Sequence, residues 1–291
     1  MDFTEWEPLY LKILSRFEFS QEKDEKAALW MSEKFKRIKN DVITQNGSLI
    51  DQNPINQNLK NQSLTNQNLK NQSLADQNLK KQSFADQNLK KQSFEGQNLK
   101  DRSEPLLKLK FKITCRPVVV CGNAPSLEKE LSKYLEERRP DDTFIAADGA
   151  ASVLLKCGQI PDIIVTDLDG GCPNDAAREI EAAGCGTHLI IHAHGDNIDI
   201  LEKYMPSMIE IIKNGMVTPT CQCLPPYGLY NFGGFTDGDR GVFLAEAFGA
   251  EKITLIGFDF NDRNVTDLKK KKLECAKKLI QLLSSKNPGK I

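Results

Sequence analysis

The stretch FIAADGAASVLLKCGQIPDIIVTDLDGG, residues 144–171, decides the fold. It opens with an apolar run ending in Asp148, passes through the helical pattern GAASVLLK, and reaches a second apolar run from Asp162 to Asp167. Short, continuous Val/Ile/Ala runs joined by a helical segment describe parallel strands covered on both faces, because only half-exposed strands alternate apolar and polar residues. The pattern continues outward. Upstream, the run from Pro117 to Gly122 (PVVVCG) predicts a strand and Ser126 to Arg138 a helix. Downstream, DAAREIEAAG predicts a helix, HLIIHAHGD a strand, and Asn197 to about Lys213 a long helix. A strand near MVTPTCQ, a helix GDRGVFLAEAFG, a strand KITLIGFDF and a C-terminal helix complete the series. The expected class is α/β, a mostly parallel sheet flanked by helices and wound through right-handed crossovers.

This domain spans residues 115–291, and two segments precede it. Residues 1–44 predict two helices forming a small cap or an oligomerisation surface. Trp6, Leu9, Tyr10, Ile13, Leu14 and Phe17 recur at helical spacing in the first, and Ala27, Leu29, Trp30 and Phe35 form the stripe of the second, with Ser20 as its N-cap. Residues 45–114 are a linker dominated by an internal repeat of ten residues, QNLKNQSLTN, built from two pentads. Leu59, Leu64, Leu69, Leu74, Leu79, Phe84, Leu89, Phe94 and Leu99 recur every five residues. Five residues turn a helix by about 140°, so no helical face collects them, and in a strand they swap sides. The stretch resembles the pentapeptide-repeat family in its Leu/Phe centres, but Gln57, Gln62 and Gln67 stand where that pattern places small residues. A flexible Asn/Gln/Lys-rich insertion outside the chemistry is the favoured reading, with a short solenoid or helix as the alternative.

Composition excludes several function classes. The chain has 291 residues, with 39 Lys and Arg against 40 Asp and Glu, a formal net charge of -1. That balance argues against nucleic-acid binding by bulk attraction. No apolar run approaches the roughly 18–20 residues of a membrane helix. The acidic, amphipathic start MDFTEWEPLYLKIL is unlike a secretory signal, so a cytoplasmic protein is expected. The eight cysteines are scattered without a CxxC pair and read as reduced, mostly buried thiols. His192 and His194 with Cys221 and Cys223 have strand spacing, which admits a zinc site, although core packing is the favoured reading.

Ligands of open α/β sheets bind beyond the carboxyl ends of the strands, and the polar residues collect there. Gly122-Asn123-Ala124-Pro125-Ser126 forms a turn into a helix. It reads either as a phosphate cradle or as an ordinary cap by Ser126. Asp148, Asp167, Asp169 and Asp196 end or follow three successive strands. Converging carboxylates repel one another and require a cation, and hard oxygen donors favour magnesium, which commonly shares its shell with a substrate polyphosphate. Asp167 and Asp169 form an Asp-x-Asp able to grip one ion. The glycine-rich run from Asn231 to Gly241 carries Asp239 and Arg240 at a helix start, where the arginine suits a bidentate grip on phosphate. Asp259 is a further candidate, and Phe258, Phe260, Phe232 and Tyr230 either flank a flat ring or simply pack.

The segments VVVCGNAPSLEKEL, FIAADGAASVLLKCGQIPDIIVTDLDGG, HAHGDN, GFTDGDRGVFLAEAFGA and ITLIGFDF together resemble the archaeal 6-hydroxymethyl-7,8-dihydropterin pyrophosphokinases, the MptE-like family, whose catalytic domain is related to thiamine pyrophosphokinase. The resemblance covers the two N-terminal helices and residues from about 115 onward. It implies magnesium-dependent transfer of diphosphate from ATP to a pterin hydroxymethyl group with release of AMP, in tetrahydromethanopterin or folate-type biosynthesis. On that reading Asp167 and Asp169 hold magnesium on the ATP phosphates. Asp148 and Asp196 complete the metal shell or orient the hydroxyl, and Asn197 hydrogen-bonds substrate. Gly122, Asn123, Ala124, Pro125, Ser126, Asp239 and Arg240 bind the nucleotide. Small molecules are the expected partners, with no nucleic acid, no membrane, and self-association through the N-terminal helices. The rival readings are a metal-dependent nucleotide-sugar glycosyltransferase, a thiamine pyrophosphokinase, and a non-enzymatic scaffold.

Overall fold

The apolar runs form six parallel strands: β1 (Pro117–Cys121), β2 (Thr143–Ala147), β3 (Ile163–Thr166), β4 (His188–Ala193), β5 (Val217–Cys221) and β6 (Lys252–Ile256). Every residue of β1 to β5 is buried, as the unbroken Val/Ile/Ala runs require. Their order is β5-β4-β3-β2-β1-β6, with registers such as Val120 opposite Ile145 and Leu255. Pro219 is tolerated because β5 is an edge strand. This computed structural model describes residues 1–51, 104–170 and 174–291, with the backbone alone for 42–51. The expected pentad repeat lies outside the described residues.

Among the described residues the helices are α1 (Phe3–Phe17), α2 (Gln21–Asp51), α3 (Glu104–Ile113), α4 (Leu127–Glu137), α5 (Asp148–Lys156), α6 (Asp175–Gly184), α7 (Ile198–Lys213), α8 (Asp237–Ala247) and α9 (Asp267–Lys286). The chain steps from β1 to β5 in one direction, so right-handed crossovers place α4 to α7 on one face, each packed on the next. The return from β5 to β6 runs the other way and lays α8 across β1, β2 and β3 on the opposite face, beside α9. Gly241 permits this approach, since a Cβ there would lie 3.1 Å from Val120 Cγ1 and 3.2 Å from Ile145 Cγ2.

Residues 1–36 and 101–291 form one compact unit, and residues 37–100 a second, of which only the α2 portion is described. Asp2 starts α1 by accepting the Glu5 amide at 2.9 Å. The apolar stripe of α1 is buried within the first unit: Trp6 meets the Phe243 ring edge at 6.2 Å and donates to the Gln222 carbonyl at 2.9 Å, and Phe17 packs on Phe235. Ser20 does cap α2, accepting the Lys23 amide at 3.3 Å. The buried stripe of α2 differs from expectation. Ala27, Ala28, Met31 and Phe35 turn inward, whereas Leu29 is 56% exposed and Trp30 lies under the Lys34 ammonium.

Helix α3 stands where a linker was expected, and it joins the first unit through buried Leu109 and Ile113. Among the described residues no helix is long and apolar enough to cross a membrane. The seven described cysteines are free thiols; Cys121, Cys221, Cys223 and Cys275 are buried, and Cys115 and Cys185 exposed.

Candidate active site

The carboxyl ends of the strands open into a cavity of about 550 Å³. Asp167 and Asp169 follow β3, and their convergence comes from a turn rather than from strand alternation. The strand stops at Thr166, whose hydroxyl accepts the Leu168 amide at 2.9 Å. Leu168 is buried with φ of 64°, a left-handed conformation costing a non-glycine residue roughly 1–3 kcal/mol. That turn brings both carboxylates to one side, where oxygens of Asp167 and Asp169 and a ring nitrogen of His194 lie within 4.8 Å of one another. A second group at the same spacing comprises Asp148, Asp167 and Asp237, so Asp167 is common to both.

Asp148 is the first residue of α5 rather than the end of β2. Its Oδ1 is buried without a hydrogen-bond partner. Gly170 makes room for it, since a Cβ there would stand 2.5 Å from that oxygen. Burial and the charge of Asp167 outweigh the opposing contribution of Glu179 and push Asp148 up to about 6. Glu179 of α6 is itself only 1% exposed, and burial together with the Asp148 charge holds its carboxyl well above the usual range. Burial and the Asp167 carboxylate raise Asp169 to about 7 and Asp237 to about 8. Burial also pushes Asp167 upward, but hydrogen bonds from His194 and Asp169 and the charges of His194 and Arg240 prevail, and its pKa falls well below the ordinary value. The cluster therefore keeps one firmly ionised carboxylate among three that resist ionisation, as expected of acidic groups gathered for a cation.

His192 and His194 have different surroundings. His192 is buried on β4 with Nδ1 3.0 Å from the Thr220 hydroxyl, and burial depresses its pKa. His194 lies beyond the strand, with Nε2 3.1 Å from Asp167 and Nδ1 2.8 Å from Asp196. Burial opposes its charge, but the bond to Asp167 prevails and raises its pKa. Among the described residues no metal-competent group joins these histidines to Cys221 or Cys223, and the cysteines pack in the core. Asp196 is largely exposed and reaches the cluster through His194. Asn197 is buried and holds the turn: its Oδ1 accepts the His194 amide, and its Nδ2 donates to the carbonyls of Asp167 and His192.

Of the expected nucleotide residues, Gly122, Asn123, Ala124, Pro125 and Arg240 line the cavity, and Ser126 does not. Ser126 occupies the N-cap position of α4 but makes no side-chain capping bond. The amides of Gly122 and Ala124 donate to the carbonyls of Ile256 and Gly257 at the end of β6, so this turn is stitched to its neighbour. The contact requires glycine on both sides: a Cβ on Gly122 would meet the Gly257 carbonyl at 2.6 Å, and one on Gly257 the Gly122 carbonyl at 2.3 Å.

Asp239 is fully buried, accepting the amides of Phe235 and Thr236 at 2.7 and 2.8 Å together with the Thr236 hydroxyl. It closes a capping box on α8, which a Thr-x-x-Asp spacing signals in sequence. Arg240 pairs with Asp237 at 3.0 Å and donates to Gln222 Oε1 at 3.4 Å, while its Nε is buried without a partner. Phe258, Asp259 and Phe260 line the cavity; Tyr230 and Phe232 instead stack on each other at 6.1 Å. Lys23, Asp24, Gln222, Lys269 and Lys272 also line it, none of them singled out by sequence.

Two donor sets can be compared with the expected ion. Asp148, Asp167 and Asp237 offer only hard oxygens, which suits magnesium, and the unpartnered Asp148 Oδ1 is an oxygen awaiting a ligand. The set of Asp167, Asp169 and His194 adds a nitrogen that softer divalent ions prefer.

Residues 89–265 match the family described as "6-hydroxymethylpterin diphosphokinase MptE-like". The chain belongs to this family. Proteins named 6-hydroxymethyl-7,8-dihydropterin pyrophosphokinase resemble it in three archaea. The one from Pyrococcus furiosus is 42% identical over 192 residues, covering 62% of this chain and 77% of that protein. The one from Methanothermobacter thermautotrophicus is 45% identical over 144 residues, covering 50% and 57%. That from Methanocaldococcus jannaschii is 39% identical over 198 residues, covering 62% and 80%. Among solved structures, the MAf glycosyltransferase from Magnetospirillum magneticum aligns with a TM-score of 0.35 at 18% identity, over 55% of this chain and 28% of that one. So low a score gives the glycosyltransferase reading no support. The family match runs from the end of the repeat region past β6, so it takes in every strand-end carboxylate described above.

Proposed function

We propose that this MptE-like protein transfers diphosphate from ATP to the hydroxymethyl oxygen of 6-hydroxymethyl-7,8-dihydropterin and releases AMP. The observation that carries the reading is the meeting of Asp148, Asp167, Asp169 and Asp237 beside Arg240 and His194, in a chain 39–45% identical to proteins of that name. The pterin oxygen attacks the β-phosphorus of ATP, and the bond from that phosphorus to the α,β-bridging oxygen breaks as AMP leaves. Catalysis of such a transfer is mostly positioning and charge neutralisation.

Asp148, Asp167 and Asp237 would hold magnesium, with Asp169 beside them, and the ion would neutralise and align the phosphates when bound. Arg240 binds phosphate oxygen from the α8 side. His194 keeps Asp167 oriented, and Asp196 holds the other nitrogen of that ring. Asp169, outside that set of oxygens and beside Asp167, is the carboxylate left to take the hydroxyl proton. Asn197 positions the turn carrying His194, and Asp239 the start of α8. The product suits tetrahydromethanopterin or folate-type pterin synthesis in the cytoplasm.

The test is AMP release by the full chain and by a chain lacking the repeat. Each would be supplied with ATP, magnesium and either the pterin alcohol or thiamine. Pterin-dependent AMP release by both proteins is expected. No AMP with the pterin, or a preference for thiamine, would overturn the reading.

A further inference from the structure

Gln222 follows β5, is 5% exposed, and lies between two charged side chains. Its Nε2 donates to Asp24 Oδ2 at 2.8 Å, and its Oε1 accepts from Arg240 Nη2 at 3.4 Å. Asp24 comes from α2, 198 positions away, and is 3% exposed. Its carboxylate accepts two further bonds, from the Tyr10 hydroxyl at 2.7 Å and the Gly195 amide at 2.8 Å. Gly195 follows His194 directly, and the chain fits there only without a side chain, since a Cβ would stand 2.8 Å from Lys23 Cβ. One carboxylate of α2 thus holds the turn after β4 and the side chain after β5.

The polarity of these contacts matters. A carboxylate only accepts, so Gln222 must present its NH2 to Asp24, which leaves its carbonyl oxygen for the guanidinium. If the Gln222 amide turned over, its NH2 would face Arg240, donor against donor. Asp24 therefore fixes which end of Gln222 meets Arg240, and Arg240 is held at both arms, by Gln222 and by Asp237.

We infer that Asp24 is a positioning residue for the phosphate-binding Arg240, acting through Gln222, and for the His194 turn, acting through Gly195. The start of α2 is then part of the catalytic unit. This inference rests on the proposed function in taking the cavity to bind phosphate.

Asp24→Asn keeps the shape and replaces one acceptor by a donor. Either the new NH2 meets Gln222, which then opposes NH2 to NH2 or turns over and repels Arg240, or it meets the Gly195 amide and the His194 turn loses its bond. Adding Gln222→Glu supplies an acceptor to each side again and leaves the summed charge of the two positions unchanged. Tyr10→Phe removes a different bond from the same carboxylate and leaves the polarity of Gln222 intact. Calorimetric affinity for inorganic diphosphate with magnesium, and KM and kcat for ATP, are measured on full-length proteins alongside thermal midpoints.

Asp24→Asn should weaken diphosphate binding and raise KM by roughly 10–100-fold, with a smaller change in kcat. The double variant should recover most of the loss. Tyr10→Phe should lower the thermal midpoint while keeping the affinity. The inference is overturned by wild-type affinity in Asp24→Asn, by a double variant no better than the single, or by an equal loss in Tyr10→Phe. Wild-type protein that binds no diphosphate also overturns it. Wild-type protein that binds diphosphate but transfers none would defeat the proposed activity alone, and the affinities would still decide the role of Asp24.

Discussion

Asp167→Asn is the most informative substitution, because Asp167 contributes to both candidate metal groups. The ligand atoms in each group lie within 4.8 Å of one another. Two ionised carboxylates at that distance repel by about 3.5 kcal/mol at an effective dielectric constant near 20. A divalent ion between them converts the repulsion into attraction, so removing one shared charge forfeits stabilisation of similar size. At 1.36 kcal/mol per tenfold, about 3.5 kcal/mol corresponds to roughly a 400-fold fall in kcat/KM. The loss should be concentrated in the metal dependence, with a higher magnesium concentration for half-maximal rate and partial recovery when magnesium is abundant. The assay is AMP release titrated with magnesium, with circular dichroism melting to confirm folding. Asparagine is nearly isosteric, so a folded variant is expected. Normal turnover by Asp167→Asn at limiting magnesium would refute the assignment.

Three further outcomes are expected. Asp148, Asp169 and Asp237 have folded values near 6, 7 and 8, above the unfolded carboxylate value of about 4. Their stabilising contribution is complete below pH ~4 and drains away as the pH climbs to ~8, whereas the depressed Asp167 contributes steadily over that range and loses its share only in acid. Metal-free protein should melt progressively earlier from pH 5 to 8.5, and magnesium should restore the midpoint most at the alkaline end; a rising metal-free midpoint contradicts this. Gly170→Ala places a Cβ 2.5 Å from Asp148 Oδ1 and should cut turnover by about 10²-fold through displacement of that carboxylate, with a modest change in melting. Lys269 and Lys272 line the cavity, and the Lys269 charge acts on Asp148. Gln at either position should raise KM for ATP roughly fivefold with kcat retained, and an unchanged KM would exclude them from the phosphate site.

The parallel sheet was legible because strands buried on both faces leave unbroken apolar runs, and the helices between them carry a different period. The run from 144 to 171 alone defines β2, α5 and β3. Helix α3 escaped notice because its short apolar pattern abuts the repeat, which masks the change of period. Asp148, Asp167 and Asp169 were readable from their place at strand ends. Asp237 was not, since it stands two residues before Asp239 in the first turn of α8 and nothing local distinguishes the carboxylate that faces the cavity from the one that caps the helix. The positive φ of Leu168 has no signature either, as leucine rarely adopts it. Asp24 and Gln222 meet only through the tertiary fold, and no spacing in the chain could pair them.

The site owes its form to the reversal in the sheet. Outgoing strands β2 and β3 deliver Asp148, Asp167 and Asp169, but Asp237 and Arg240 arrive on α8, which belongs to the return crossover. Their distance from the strand-end carboxylates is therefore set by how closely α8 can lie on the sheet. Gly241 governs that distance, and Gly234 the approach of the loop before the helix. Gly241 faces Val120 and Ile145 on the sheet, and Gly234, at φ of 89°, lets the incoming loop pass against the Arg240 backbone, where a Cβ would stand 2.6 Å from its Cα. Bulk at Gly241 would lift α8 and separate Asp237 from Asp167, whereas bulk at Gly234 would push the loop off the Arg240 backbone. Gly241 within α8 thus acts on the carboxylate cluster as a spacer, and Asp24 of α2 then fixes Arg240 through Gln222.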